Sequence, residues 1–267
     1  MAIADNYIEF ERVSKSFWLP DGSLQAVLDD VSFFVPRGEA VAILGRSGVG
    51  KSVTLKHIVG FLKPDNGRIR VDGREITGLE EEELAELRRH MAMVFQSGAL
   101  FDSLSVAENV AFPMRERAHL DGREVDEEGV ARRVSELLAT VELDEHAEVM
   151  PADLSTGMKR AVAIARALAS EPDCILYDEP TTLVDPLMAQ TITRLLLRLK
   201  ERYQKTSVVV THDVRLAERV ADRLVMLEQG RVAFFGSPAE WAASAEPEVE
   251  RFRALDALPD SAAPSAR

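Results

Sequence analysis

The stretch "GRSGVGKS", residues 45–52, fits the spacing G-x-x-x-x-G-K-[ST] in full. Gly45, Gly48 and Gly50 free the backbone here from Cβ clashes. The N–H groups of Arg46, Ser47, Val49 and their neighbours can then turn inward around phosphate oxygens. Lys51 is placed to reach β and γ phosphates, and the Ser52 hydroxyl to ligate Mg²⁺. A helix beginning at Lys51 would add its positive end. The rival reading, a chance glycine-rich turn, is disfavoured by the strand-like "AVAILG" before the motif and the helix-like "KSVTLKHIVGFL" within and after it.

Further along, "CILYDEP" (174–180) supplies a carboxylate pair. Asp178 suits the Mg²⁺ shell of a phosphate-loop enzyme. Glu179 is placed to polarise a water for in-line attack on a γ phosphate. An acidic pair after a strand is often only a helix cap, but the phosphate loop favours the chemical reading. "MAMVFQ" ends at Gln96 and "SVVVTH" at His212. Alone, a strand-end His or Gln is usually structural or solvated. Sharing a strand-end position with the phosphate loop makes His212 a candidate donor to the γ phosphate. Gln96 becomes a candidate for touching Mg²⁺ or the attacking water.

Four apolar strands thus each end in a reactive polar group. In an open parallel sheet, ligands bind beyond the carboxyl ends of the strands, so the four endings predict one site. The rest of the chain must build that sheet. Residues 7–35 read as short strands, "YIEFERV" and "VSFFV", flanking a polar hairpin, "LPDGS". "GRIRVDG" (67–73) reads as a further strand and "EEEELAELRR" (80–89) as a charged surface helix. Residues 97–157 lack strand runs, and Val130, Val134, Leu137, Leu138 and Val141 recur at helical spacing. That stretch is read as a helical insertion. Helices at 157–169, 186–203 and 213–221 then alternate with "CILYD", "TSVVVT", "RLVML" and "RVAFF", which predicts a parallel sheet covered on its faces.

Composition bounds the setting. The 32 basic and 45 acidic residues give a net charge of −13, which argues against nucleic acid as the main partner and against docking to anionic lipid by charge alone. No apolar run approaches the length of a membrane span, and "MAIADNYIEFERV" lacks the basic start and apolar core of a signal peptide. One cysteine, Cys174, allows no internal disulfide and fits a reducing compartment, so a cytoplasmic location is expected.

A second short turn, "DLSTGMKRAVAIARAL" (153–168), opens onto a basic-then-apolar helix. Taken with the phosphate loop, Gln96, "CILYDEP", Asp185 and His212, its order along the chain resembles that of the ATP-binding-cassette ATPases over roughly residues 7–240. The resemblance implies an α/β fold: a phosphate-loop cassette with a parallel-sheet core, an N-terminal antiparallel β subdomain and a helical insertion subdomain. The cassette would span 7–244, with 97–157 as the insertion. ATP and Mg²⁺ are the implied cofactors. In that family the signature turn, here Leu154 to Met158, binds the γ phosphate of ATP held by a second subunit's phosphate loop. A Ser155 hydroxyl, a Gly157 N–H and a helix N-terminus do make an anion site, and Ser155 also serves as an ordinary N-cap. Hydrolysis would therefore require a homodimer. Phe17 in "VSKSF" matches the position of the aromatic, usually Tyr, that stacks on adenine, although a plain core Phe is its rival; Asp185 would join the nucleotide site. The chain departs from the usual LSGGQ signature at Thr156 and Met158. Val53 replaces a hydroxyl common in relatives, which puts one α-phosphate contact in doubt, and "TTLVD" before Asp185 is variant too.

A finer resemblance lies in "FQSGALFDSLSVAENVAFPMRE" (95–116) and in a signature reading LS-x-G-M-x-R. These are similar to the ATPase subunit of bacterial phospholipid transporters of the maintenance-of-lipid-asymmetry type. That implies an integral membrane permease as partner, with a lipid-binding protein of the mammalian-cell-entry class and a small accessory subunit. It also implies a place at the cytoplasmic face of the inner membrane. "GALF" and "VAFPM" would offer the permease apolar surface, or else fill the insertion's core. Residues 245–267 read as an extension that is helical, then disordered. Val249, Phe252 and Leu255 form an apolar stripe expected either to clasp a partner subunit or to pack on its own domain. Against a transport motor stand two other classes, a soluble cassette protein acting on nucleic acid or ribosomes and a nucleotide-gated assembly protein with little turnover.

Overall fold

A computed structural model describes residues 5–257. Its centre is a six-stranded sheet in the order β10-β9-β3-β8-β7-β6. The strands are β3 (Ala40–Leu44), β6 (Met91–Val94), β7 (Cys174–Asp178), β8 (Thr206–Thr211), β9 (Arg223–Glu228) and β10 (Arg231–Gly236). All neighbours pair in parallel except β10, which turns back antiparallel on β9. The expected parallel sheet is thus closed at one edge by an antiparallel hairpin, which the two-residue Gln229–Gly230 connection makes possible.

Continuous apolar sequence in these strands reflects burial on both faces. Side chains alternate between two cores with period two. Ala42, Leu44, Ile175, Tyr177, Val209, Leu224 and Met226 enter one core. Val41, Ile43, Cys174, Leu176, Val208, Val210, Val225 and Leu227 enter the other. The first core is roofed by helices α3 (Val106–Leu120), α4 (Glu127–Thr140), α5 (Thr156–Ala169), α6 (Pro186–Tyr203) and α7 (Val214–Val220). The second lies beneath a four-stranded antiparallel sheet of order β2-β1-β4-β5, together with α1 (Lys51–Ile58) and α2 (Glu81–Arg88).

In that smaller sheet, β1 (Asn6–Trp18) and β2 (Leu24–Pro36) run further toward the hairpin than the apolar cores of "YIEFERV" and "VSFFV" predict. Toward the hairpin they leave the core, where Trp18, Leu24, Gln25 and Ala26 are exposed and the ladder alone sustains the strands. β4 (Asn66–Val71) pairs antiparallel with β1, and β5 (Arg74–Glu75) completes the sheet. The insertion contains two helices, α3 and α4, and α3 starts at a capping box in which Ser105 and Glu108 satisfy each other's backbone N–H.

The C-terminal stripe has a definite place. α8 (Pro238–Ala243) carries the fully buried Trp241, whose indole N–H donates to Glu218 Oε1 at 3.0 Å. On α9 (Pro247–Ala257), Val249 is 0% and Phe252 7% exposed, both within the same core as Trp241. Arg253 donates to the Trp241 and Ser244 carbonyls at 3.0 and 2.8 Å, tying α9 to the end of α8. Of the two readings of the stripe, Val249 and Phe252 follow own-domain packing, while the Leu255 side chain and the tail from 258 lie outside the described residues. Phe252→Ala is accordingly expected to cost about 3 kcal/mol of stability, within the range for a buried aromatic. Chemical denaturation checks it; a midpoint indistinguishable from that of the unaltered chain would contradict this packing.

Candidate functional site: a phosphate cradle at three strand ends

Register brings the reactive groups level. Leu44 at the end of β3 pairs with Thr211 at the end of β8, and Asp178 on β7 pairs with Val210. The residues that follow, Gly45, His212 and Glu179, therefore leave three adjacent strands side by side. The Glu179 N–H closes the arrangement by donating to the Val210 carbonyl at 2.9 Å.

The phosphate loop wraps from β3 into α1. Gly50, the residue before α1, has φ +111°, and a Cβ there would lie 2.7 Å from Leu28 Cδ2 and 3.0 Å from the Val27 carbonyl. Only glycine fits between the loop and β2. The N–H groups of Ser47, Gly48, Gly50, Lys51 and Ser52 donate to no group among the described residues, and Arg46, Ser47 and Gly48 are exposed. A row of unpaired donors at a helix start is an anion receptor. Val49 and Val53 are apolar packing contacts of this loop, each half-buried against the second core.

Lys51 is 6% exposed, and its ammonium donates to the Gly45 and Arg46 carbonyls at 2.7 and 3.1 Å. Its third neighbour is Glu179 Oε1 at 3.2 Å. The other Glu179 oxygen, Oε2, accepts from the Thr182 hydroxyl at 2.9 Å and lies 2.8 Å from His212 Nδ1. Burial pushes the Glu179 carboxyl upward, but His212, Lys51 and Thr182 together outweigh it and hold its pKa at about 2. His212 is raised in turn, chiefly by that same hydrogen bond. Glu179 itself sits at φ +50°, a left-handed conformation that its neighbours must hold.

Ser52 Oγ donates to Asp178 Oδ1 at 3.2 Å. Burial, with repulsion from Glu179, raises the Asp178 carboxyl despite the Ser52 hydrogen bond and the nearby lysines. A cation there would relieve that cost, and a hydroxyl beside a carboxylate is a hard-oxygen pair suited to Mg²⁺. Among the described residues there is no cluster of three or more His, Cys, Asp or Glu placed to hold a metal ion.

Other expected residues are placed differently. β6 ends at Val94, so Gln96 lies in the turn beyond it, and its side chain makes no hydrogen bond to the loop or the carboxylates. Phe17 lies on β1 opposite Gln25, half-buried, with the Lys15 ammonium 5.6 Å from its ring centroid. It shares a strand face with Lys15, whose partner Leu28 abuts Gly50, so its ring belongs to the sheet edge beside the loop. Asp185 caps α6, its Oδ1 accepting from the Leu187 and Met188 N–H groups at 3.1 and 3.0 Å.

Ser155 caps α5 by accepting from the Met158 N–H at 3.2 Å and is exposed; Gly157 is buried. Neither makes a hydrogen bond to its own chain's phosphate loop. After Gln96, Val110 and Ala111 fill the core, whereas Phe101 and Phe112, with centroids 4.6 Å apart, remain 43% and 37% exposed. Two participants escaped sequence reasoning. Thr182 was visible only as part of a variant loop, and Arg160 only as the last residue of the LS-x-G-M-x-R signature, with no role of its own.

A glycine cradle, a buried lysine, a hydroxyl–carboxylate pair and an ionised glutamate at the ends of a parallel sheet define a phosphate-loop nucleotide hydrolase. Comparison makes this specific. The chain belongs to the ABC transporter ATPase family, whose model, described as "ABC transporter", matches residues 28–182. It is 40% identical over 229 residues to the intermembrane phospholipid transport system ATP-binding protein MlaF of Haemophilus influenzae, covering 85% of this chain and 84% of that one. With the same-named protein of Escherichia coli it is 37% identical, covering 90% and 87%. The methionine import ATP-binding protein MetN of Haemophilus ducreyi is 37% identical over 87% of this chain, which spans 66% of that protein's length. Among solved structures, a dimeric ATP-binding cassette in a post-hydrolysis state bound to ADP and Pi matches with a TM-score of 0.77 and 33% identity, over 86% of this chain and 98% of that one. No helix among the described residues is long and apolar enough to cross a membrane.

Proposed function

We propose that this chain is the ATP-hydrolysing subunit that powers a membrane transporter of phospholipid, working as a homodimer on the cytoplasmic face of the inner membrane. The carrying observation is Lys51 and His212 meeting on opposite oxygens of Glu179, at 3.2 and 2.8 Å. In this reading the free loop amides and Lys51 hold the β and γ phosphates. Ser52 and Asp178 hold Mg²⁺, with Gln96 as a further ligand after closure. The ion supplies charge neutralisation of the phosphate oxygens. Glu179 orients and deprotonates the attacking water, His212 faces the γ phosphate, and Phe17 offers a π surface to the base.

Exposed Ser155 and the start of α5 complete the partner subunit's site; they make no hydrogen bond to the phosphate loop of their own chain, which supports this. A dimeric neighbour holding ADP and Pi supports this arrangement. Two relatives named for phospholipid transport, each matched over more than four-fifths of its length, support the substrate. So do the signature's Met158 and the exposed Phe101–Phe112 pair, which offers an apolar seat to a permease. A mammalian-cell-entry-class lipid-binding protein and a small accessory subunit complete the proposed assembly. The methionine relative favours a second reading, amino-acid import.

Affinity purification of the tagged chain from its own membranes, with mass spectrometry of proteins and bound small molecules, separates the readings. A polytopic permease with co-purifying phospholipid is expected. A permease with an amino-acid-binding protein would replace the lipid reading, and recovery without any membrane protein would remove the transport reading altogether.

A further inference from the structure

Arg160 is 2% exposed, among the largest fully buried side chains of the protein. A guanidinium in that position must be paid for by acceptors. It finds them in one place: Nη1 donates to the Pro180 carbonyl and, at 3.4 Å, to that of Glu179, while Nη2 donates to the carbonyl of Thr182. All three acceptors belong to the segment that holds Glu179 in its left-handed conformation. That segment also provides the Thr182 hydroxyl that Glu179 Oε2 accepts from. Burial lowers the Arg160 pKa and the Glu179 charge opposes this, so the cation is held against desolvation by the loop it organises.

Arg160 stands on α5, one turn after Gly157 and on the same face. The Gly157 backbone in turn packs against Met188 at the far end of the Glu179–Met188 segment, where an added Cβ would lie 2.1 Å from Met188 Sδ. The helix that opens with Ser155 thus grips this segment at both ends.

We propose that Arg160 is a positioning residue: it fixes the Glu179 carboxylate through the Glu179, Pro180 and Thr182 carbonyls, and so joins the signature turn serving one nucleotide to the base serving the other. This rests on the reading of Glu179 and of the dimer given above. Arginine is required because a planar fork reaches several carbonyls at once, whereas a lysine ammonium offers a single point.

The test uses the full chain with Mg-ATP: R160K, R160M, E179Q and R160K/E179Q, compared by steady-state turnover, ATP affinity and single-turnover hydrolysis of labelled ATP. R160K is expected to lower kcat by about tenfold or more while KM and Kd for ATP change less than about threefold, the signature of a group acting on the chemical step. R160K/E179Q should be no slower than E179Q within about twofold, because a residue acting through Glu179 adds nothing once the carboxylate is gone. A kcat unchanged in R160K, or a full second loss in the double variant, would overturn the inference. So would loss of ATP binding and of the thermal transition in both R160K and R160M, which would make the role one of folding. Normal turnover by E179Q removes the reading of Glu179 and this inference together. A slow E179Q beside an unaffected R160K removes this inference alone.

Discussion

Glu179→Gln is expected to bind ATP normally and to hydrolyse it about 10²- to 10⁴-fold more slowly, the range for loss of a general base. The substitution keeps size and burial, and its amide can still accept from Thr182. What it removes is the charge. His212, Lys51 and Thr182 hold the carboxyl pKa at about 2 against the effect of burial, a poor setting for a base. Lys51 is the neighbour that ATP would recruit, since its ammonium is placed to meet the β and γ phosphates. Drawing Lys51 toward phosphate weakens its hold on Glu179, and the carboxylate pKa climbs toward its ordinary value. Binding thereby raises the basicity that hydrolysis needs. The measurement is turnover beside equilibrium ATP binding; a variant within about threefold of the unaltered rate would exclude Glu179 as the base.

Lys51→Met should act at the other stage. Its ammonium is buried on two carbonyls and one carboxylate, so the free protein already bears the cost of desolvating it. Losing a charge-assisted contact to phosphate is worth about 1.5–3 kcal/mol, and calorimetry should show ATP affinity falling by on the order of 10²-fold. Turnover falls with it. The variant also removes one of the two cations that hold the Glu179 carboxyl down, leaving His212, so its pKa should rise above its present value. An affinity within threefold of the unaltered chain would mean that the loop amides alone hold the phosphates.

Much of this site could be read before any coordinates. The phosphate loop, Asp178, Glu179 and His212 were legible because each follows a run of apolar residues that only a doubly covered strand tolerates. The helix over 186–203 was legible from its place between two apolar strands, and the one that follows Ser155 also from its N-cap. Gln96 was not placed correctly, since "VFQ" continues the apolar strand pattern while the ladder stops at Val94. The full lengths of β1 and β2 were hidden for another reason: toward the hairpin they mix polar and apolar residues without a clean alternation and lie exposed, although their backbones still pair. The role of Arg160 was not readable, although the residue stands in the LS-x-G-M-x-R signature. Its burial depends on three carbonyls nineteen to twenty-two residues away in the chain, and no local pattern records them.

The thioether resting on Gly157 places two demands on one missing methyl. From inside the subunit, Met188 occupies the volume that any larger residue would claim. From outside, the same backbone must stay bare if an oxyanion is to approach it. Alanine there would fail twice over, and its failure would not say which demand was broken. The hydroxyl two residues earlier has a single internal duty, capping α5 through the Met158 N–H, and another capping residue could take that over while changing the surface a second subunit would meet.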